Sequence, residues 1–103
     1  MLNKTAIITI MSALLSITIQ QYGGDETLVK LLHKIEVTTL TNLRYSGDDA
    51  DEAAQILGDS IHITANHKLS QQQFHTLKQV WRYTKSHKDA ILKRERSGLR
   101  SIG

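Results

Sequence analysis

The sequence of 103 residues contains no cysteine and no proline. Without cysteine the chain can form no disulfide bond, no thiolate metal site and no cysteine nucleophile, so the folded domain has to be stable without a covalent link. Without proline, nothing in the chain obliges a helix to end or to kink. The length fits a single domain, residues 1–103, with one hydrophobic core.

Long apolar runs are also scarce. The longest, Thr5 to Ile19, covers fifteen residues, and an α-helix needs about 20 to cross a bilayer. A secretory signal fits this length better, but the run continues into "QQY" without the small residues of a cleavage site. Hydroxyl residues recur along one helical row, with isoleucines and leucines on the other side. We therefore expect residues 5–21 to form a core helix, with an atypical signal or a peripheral membrane contact as the alternatives.

A second helix is predicted to follow closely. Gly23 and Gly24 are typical of a helix end, and Asp25 is suited to begin the next helix at the positive end of its dipole. From Leu28 to Leu43 apolar residues keep approximately helical spacing. The β-branched run "VTT" at 37–39 makes the second half of this helix the less favourable half.

The third predicted helix follows the turn "YSGDDAD", whose glycine and aspartates are typical of turns and helix N-caps. We expect Asp48 or Asp49 to cap it, and the crowded carboxylates there to serve capping and the helix dipole, because the ligand spacing of a calcium loop is missing. Apolar residues then recur every four positions through Gly58. The alternative is a break at Gly58 and a short strand over residues 61–65.

The strongest local pattern is "KLSQQQF", residues 68–74. Ser70 is an N-cap candidate, and Gln73 stands at the third helical position of a capping box. Leu69 and Phe74 hold the two positions of a hydrophobic staple. One long helix is therefore predicted to begin at Gln71. Its apolar face consists of Phe74, Leu77, Val80, Trp81, Thr84 and Ile91.

Charge is divided unevenly along the chain. Residues 1–66 contain four Lys and Arg against eight Asp and Glu, a net charge of −4, and residues 67–103 contain nine against two, a net charge of +7. A loose basic tail is expected from about residue 97. Cations line the face of the last predicted helix that lies opposite its apolar face. We call them the basic row: Lys78, Arg82, Lys85, Lys93 and Arg96.

The sequence lacks the residue spacings that typically carry catalysis or bind metals. The histidines include no pair four residues apart, no serine lies in a G-x-S-x-G motif, and the glycines do not form a phosphate-binding loop. We therefore expect a protein that is not an enzyme, with no metal, no cofactor and no small-molecule substrate. The basic row is expected to be a solvated face, or to contact an acidic protein, an anionic membrane surface or nucleic acid.

The order of these elements resembles a known family. An apolar first helix, an acidic turn, two further helices and the segment "ANHKLSQQQFHTLKQVW", residues 65–81, resemble the small immunity proteins that protect producers of pediocin-like bacteriocins, the enterocin A immunity type. The resemblance is one of pattern, and it covers overall length and the spacing of elements from about Glu26 to Val80. The first helix of this chain is more continuously apolar than is expected for the first helix of that family.

The resemblance implies an all-α protein, an antiparallel four-helix bundle in the cytoplasm, without catalysis. It also implies action at the inner face of the membrane on a bacteriocin-bound mannose phosphotransferase permease, with specificity in the basic stretch from Lys78 to Arg100. Two other interpretations stay open. A small nucleic-acid-binding regulator would place the basic row on phosphates. A helix-turn-helix motif is not convincing in this sequence, however, because no short glycine-containing turn precedes Ser70. An exported helical protein follows if the opening segment is a signal.

Overall fold

Six helices make up the part of the chain that the computed structural model describes, which is the backbone of residues 4–100 with side chains for 13–95. No strand occurs within that backbone, so the predicted all-α class is confirmed. The patterns predict four helices, and the second and fourth are each interrupted, so the four-helix bundle is not confirmed. The helices are α1 (Lys4–Gln21), α2 (Glu26–Lys34), α3 (Leu40–Arg44), α4 (Ala50–Ala65), α5 (Gln71–Ser86) and α6 (Lys88–Arg100).

The helix predicted over residues 5–21 is present as α1, and its C-terminal half contributes to the core. Leu15 and Ile19 are fully buried, whereas Ile17 between them is 64% exposed. Ser16 of the predicted hydroxyl row is half-buried, and the other hydroxyls of that row, at 5, 9 and 12, lie outside the described side chains. Within residues 4–100, no helix is long and apolar enough to cross a membrane.

Helix α1 ends where the glycine pair predicts. Gly23 adopts a left-handed conformation (φ 91°), and the Gly24 amide donates to the Ile19 carbonyl at 2.9 Å, which is the Schellman pattern of a helix end. A side chain at Gly24 would not fit, because its Cβ would lie 2.5 Å from Cγ2 of Ile19. Asp25 then caps α2 by accepting a hydrogen bond from the Leu28 amide at 3.1 Å.

The second predicted helix is interrupted between α2 and α3. The Val37 amide donates to the Leu32 carbonyl at 2.9 Å, and Glu36 takes the left-handed position (φ 64°) that glycine holds after α1. This is again a Schellman end. The β-branched run then leaves the helix, and Thr39 restarts it as the cap of α3 by accepting from the Asn42 amide at 3.0 Å. The local β-branched preference therefore outweighs the continuing apolar spacing.

Helix α4 is continuous through Gly58, so the alternative of a strand over residues 61–65 is wrong. Asp49, one of the two predicted caps, accepts from the Glu52 amide at 2.8 Å. Gly58 is buried where α4 meets α5, and a Cβ there would lie 2.7 Å from Cε1 of Phe74 and 3.6 Å from Cδ1 of Leu69. The two predicted staple residues thus cover this glycine. Their packing offsets the roughly 1 kcal/mol that a mid-helix glycine costs.

The predicted capping box begins α5. The Gln73 amide donates to the Ser70 hydroxyl at 3.1 Å, and the Ser70 amide donates to Oε1 of Gln73 at 2.8 Å. Further along α5, the Trp81 indole donates to the Arg44 carbonyl at 3.0 Å, which joins the end of α3 to α5. The large side chains fully buried among these helices are Leu15, Ile19, Leu28, Leu32, Leu40, Leu43, Ile61, Leu77 and Val80.

The long helix predicted from Gln71 is interrupted at His87, which separates α5 from α6. The backbone of His87 (φ −120°) departs from helical values. Its amide donates to the Tyr83 carbonyl at 3.0 Å, its ring Nδ1 lies 3.1 Å from the same oxygen, and the two rings stack at 4.5 Å. His87 thus caps α5, and α6 begins at the next residue. Beyond it, α6 is helical through Arg100, four residues into the segment predicted as a tail.

Replacing Leu15 by aspartate is expected to unfold the domain, because an unpaired buried charge costs several kcal/mol against a total stability of about 5–15 kcal/mol. Ile17→Asp, on the exposed side of the same helix, is the matched control and should leave the melting temperature almost unchanged. Circular dichroism and thermal melting measure both. A Leu15→Asp variant that melts like the unchanged protein would show that α1 is not part of the fold.

Ser70→Ala is expected to lower the free energy of unfolding by about 0.5–2 kcal/mol, because the Gln73 amide then loses its acceptor. Gln73→Ala should lower it less. Gln71→Ala, an exposed neighbour outside the box, should have little effect or a slightly stabilising one. Urea denaturation measures all three. Equal stability of the Ser70 and Gln71 variants would contradict the capping box.

Candidate partner-binding surface

The basic row lies on the two C-terminal helices. Lys78, Arg82 and Lys85 are on α5, Lys93 is on α6, and the side chain of Arg96 lies outside the described residues. Arg82, Lys85 and Lys93 are exposed and Lys78 is half-buried. The other face of α5 is buried through Leu77, Val80, Trp81 and Thr84. On α5, the cations therefore lie opposite the core, as the helical spacing predicts.

Lys78 is already engaged within the protein. Its Nζ lies 3.1 Å from Oδ1 of Asp51, in the first turn of α4. The side chain of Lys78 is 36% exposed to solvent and that of Asp51 is 79% exposed. An ion pair at such a surface contributes about 0–1 kcal/mol to stability. Sequence reasoning assigned Asp51 only to capping and the helix dipole. Nothing in its spacing could show that the first turn of α4 packs beside Lys78.

Shallow grooves lie on both sides of this ion pair. One, of about 600 Å³, runs between Arg82 and Lys85 on α5 and Asp49 and Asp51 at the start of α4. The other, of about 690 Å³, has among its lining residues Asp51, Gln55, Phe74, His75 and Lys78. Both place carboxylates beside cations. The charge separation along the sequence is thus partly cancelled in space, because the acidic turn folds against the basic helix.

Lys85 and Arg82 differ in how they are held. Nζ of Lys85 lies 5.7 Å from the centre of the Trp81 ring, within the range of a cation–π contact. Trp81 is itself fixed by its hydrogen bond to Arg44. Among side chains 13–95, ion pairs within 4 Å occur only at Lys30–Glu26 and Lys78–Asp51. Within that range, Arg82 and Lys85 therefore have no carboxylate partner.

Helix α6 carries residues that sequence reasoning missed. Lys88 and Arg94 are exposed cations outside the predicted row. The row was counted along one straight helix from Gln71, whereas α6 begins anew after His87. Glu95 is buried and accepts a hydrogen bond from the Thr41 hydroxyl at 2.6 Å. No pattern marks Glu95 in the sequence, because it stands among cations on a helix that reads as basic and exposed.

The histidines do not form a cluster. Four are exposed and His67 is half-buried. Among the side chains of residues 13–95, no group of three His, Asp or Glu is arranged as ligands of a metal ion. The charged side chains that the fold does bring together are the cations of α5 and the aspartates at the start of α4. The four exposed histidines are His33, His62, His75 and His87.

No protein-family model matches this chain, and neither does any curated protein or solved structure. The charge, exposure and packing of its own residues are therefore the physical basis on which a function can be proposed. The relevant surface consists of the exposed cations among the described residues of α5 and α6 and the acidic first turn of α4 beside α5.

A double-mutant cycle on Lys78 and Asp51, both changed to alanine, is expected to give a coupling energy of about 0.5–1 kcal/mol at low salt. The matched control is Lys30 with Glu26, at 3.8 Å and more exposed, which should give about 0.3–0.5 kcal/mol or less. Both should decrease in high salt. Urea denaturation measures them. A coupling of zero for Lys78 and Asp51 would contradict the ion pair in solution.

Proposed function

We propose that this protein is a non-catalytic bacteriocin immunity protein of the enterocin A type. In this proposal it works in the cytoplasm, at the inner face of the membrane, and protects the producing cell by blocking a bacteriocin-bound mannose phosphotransferase permease. Its support is the resemblance of residues 65–81 and of the order of elements, together with a helical fold that presents free cations on α5.

The six helices agree with a four-helix bundle when two pairs are each taken as one interrupted arm. Only residues 35–39 separate α2 from α3, and only His87 separates α5 from α6. Hydrogen bonds of helical spacing continue across this interruption, from the His87 amide to Tyr83 and from the Ile91 amide to His87. We therefore propose that α1, α2 with α3, α4, and α5 with α6 form the four arms of an antiparallel bundle.

The observation that carries the proposal is the exposure of Arg82, Lys85 and Lys93 on the C-terminal helices. A cluster of cations without carboxylate partners attracts an acidic surface and speeds its encounter with the protein. Lys78 contributes less, because Asp51 already neutralises it. Arg96 was assigned to the basic row from its spacing in the sequence. The proposed partner is thus acidic, or lies beside an anionic membrane.

Nucleic acid is the alternative partner, since the same cations would neutralise phosphates. One observation disfavours it. Asp49 and Asp51 line the same groove as Arg82 and Lys85, so a phosphate backbone lying along α5 would meet two carboxylates. A protein partner can place its own cations opposite those aspartates, whereas a nucleic acid has none to offer.

Changing Arg82, Lys85 and Lys93 to glutamate is expected to abolish protection of a bacteriocin-sensitive cell while leaving the fold intact, because these exposed side chains would then repel an acidic partner. The matched control is Lys30, Lys34 and Lys68 changed to glutamate. These residues are also exposed, and the change in net charge is the same. Survival during challenge with a panel of pediocin-like bacteriocins measures protection, and thermal melting verifies the fold.

Three results would decide against the proposal. Absence of protection by the unchanged protein against the whole panel would refute immunity. Equal protection by both triple variants would show that the cations of α5 and α6 are only a solvated face. Binding of duplex or single-stranded nucleic acid that weakens steeply with salt, without any protection, would favour the regulator instead.

A further inference from the structure

A buried carboxylate lies within the most basic helix of the protein. Glu95 on α6 is 8% exposed, while its neighbours Lys93 and Arg94 are exposed. Its Oε2 accepts a hydrogen bond from the hydroxyl of Thr41 on α3, at 2.6 Å. Its Oε1 is shielded from solvent and has no hydrogen-bond partner among the described residues. One neutral hydroxyl is thus the only described hydrogen-bond donor to this carboxylate.

This arrangement makes the docking of α6 weak at Glu95. A carboxylate loses strong hydration on burial, and a single hydroxyl donor does not replace it. Among side chains 13–95 no cation lies within 4 Å of it, although Arg44 stands one turn beyond Thr41 on α3. Nε and Nη1 of Arg44 are themselves buried and have no hydrogen-bond partner among the described residues. Charges of both signs at the α3–α6 contact are therefore left unsatisfied while α6 is docked.

Besides α3, helix α6 packs against α1 and α5, and the described side chains that it buries there are few and apolar. Within residues 88–95, Ile91 is the one other buried side chain, and Leu92 is half-buried. Once undocked, α6 would expose these two apolar residues together with Lys88, Lys93 and Arg94, and Glu95 would regain its hydration. A helix that combines apolar residues with clustered cations binds at the interface of an anionic membrane.

We propose that α6 undocks from α1 and α3 and binds an anionic lipid surface, and that the contact between Glu95 and Thr41 determines how readily it undocks. This deepens the proposed function by naming the surface that the C-terminal helix meets. A lipid bilayer is the partner that accepts both Ile91 with Leu92 and the cations around them. Nucleic acid would use only the cations and would leave the apolar residues in the core.

The first test compares two substitutions on α6 that remove one negative charge each. The probe is vesicles of phosphatidylcholine with phosphatidylglycerol, and vesicles of phosphatidylcholine alone are the reference. Asp89→Asn, at an exposed site, is expected to raise affinity for the anionic vesicles up to about fivefold, the effect of one surface charge. Glu95→Gln is expected to lower it about twofold, because burying a neutral amide favours the docked helix more than the lost charge favours the membrane.

The second test changes no charge. Thr41→Val removes the only described donor to Glu95 and is expected to raise vesicle affinity about tenfold, the effect of one hydrogen bond to a charged group. Thr27→Val, exposed on α2, is the control and should not change it. Hydrogen exchange should show that amides of α3, residues 40–44, which docked α6 covers at Thr41, lose protection when anionic vesicles are added, and that Thr41→Val lowers their protection without vesicles.

The inference is overturned if the protein does not prefer anionic vesicles, if Glu95→Gln raises affinity as much as Asp89→Asn does, or if the amides of α3 keep their protection on the vesicles. Tight binding of nucleic acid with α3 still protected, in a protein that does not bind the vesicles, would also overturn it. Protection of cells without vesicle binding refutes this inference alone. Vesicle binding without protection of cells refutes only the proposed immunity.

Discussion

The contact between Gly58 on α4 and the Phe74 ring on α5 sets the distance between the two helices that pack most extensively against each other. With any larger residue at 58, a Cβ would lie within 3 Å of that ring, so α4 and α5 would have to separate or Phe74 would have to leave its place. The separation of these helices determines where their surface residues meet. Asp51, two turns before Gly58, reaches Lys78, one turn after Phe74, because the two helices are this close.

The helix boundaries depend on short polar contacts, since the chain has neither proline nor cysteine to impose them. Four N-caps accept an amide hydrogen bond from the residue three positions later, and they stabilise helix starts at a surface where water competes for the same amides. Left-handed residues follow α1, α2 and α4, and only the first of them is glycine. Helices α2 and α4 therefore end at a left-handed residue even though Glu36 and Asn66 are not glycine. The four N-caps are Asp25, Thr39, Asp49 and Ser70.

The surface of the C-terminal helices divides into two parts with different electrostatics. On α5 the cations lie beside the acidic first turn of α4, so this part offers alternating charges to a partner and favours a protein of complementary pattern. On α6 the exposed cations surround a buried carboxylate, so the charge that α6 presents at its surface depends on whether Glu95 stays buried. Under the proposed function, the α5 surface would provide specificity and α6 would provide attachment to the membrane.

Local patterns in the sequence were enough to predict the all-α class, the helix through Gly58, a cap at Asp48 or Asp49 and the capping box of Ser70 with Gln73, because each depends on residues within one or two turns of each other. The same patterns predicted the exposed positions of Arg82 and Lys85, since a helix with one apolar face leaves the other to solvent. Only the tertiary structure could decide the rest. Asp51 pairs with Lys78 and Glu95 with Thr41 across 27 and 54 positions of sequence, and such contacts depend on how whole helices pack. The spacing of residues along one helix carries no information about which residues of another helix they will contact.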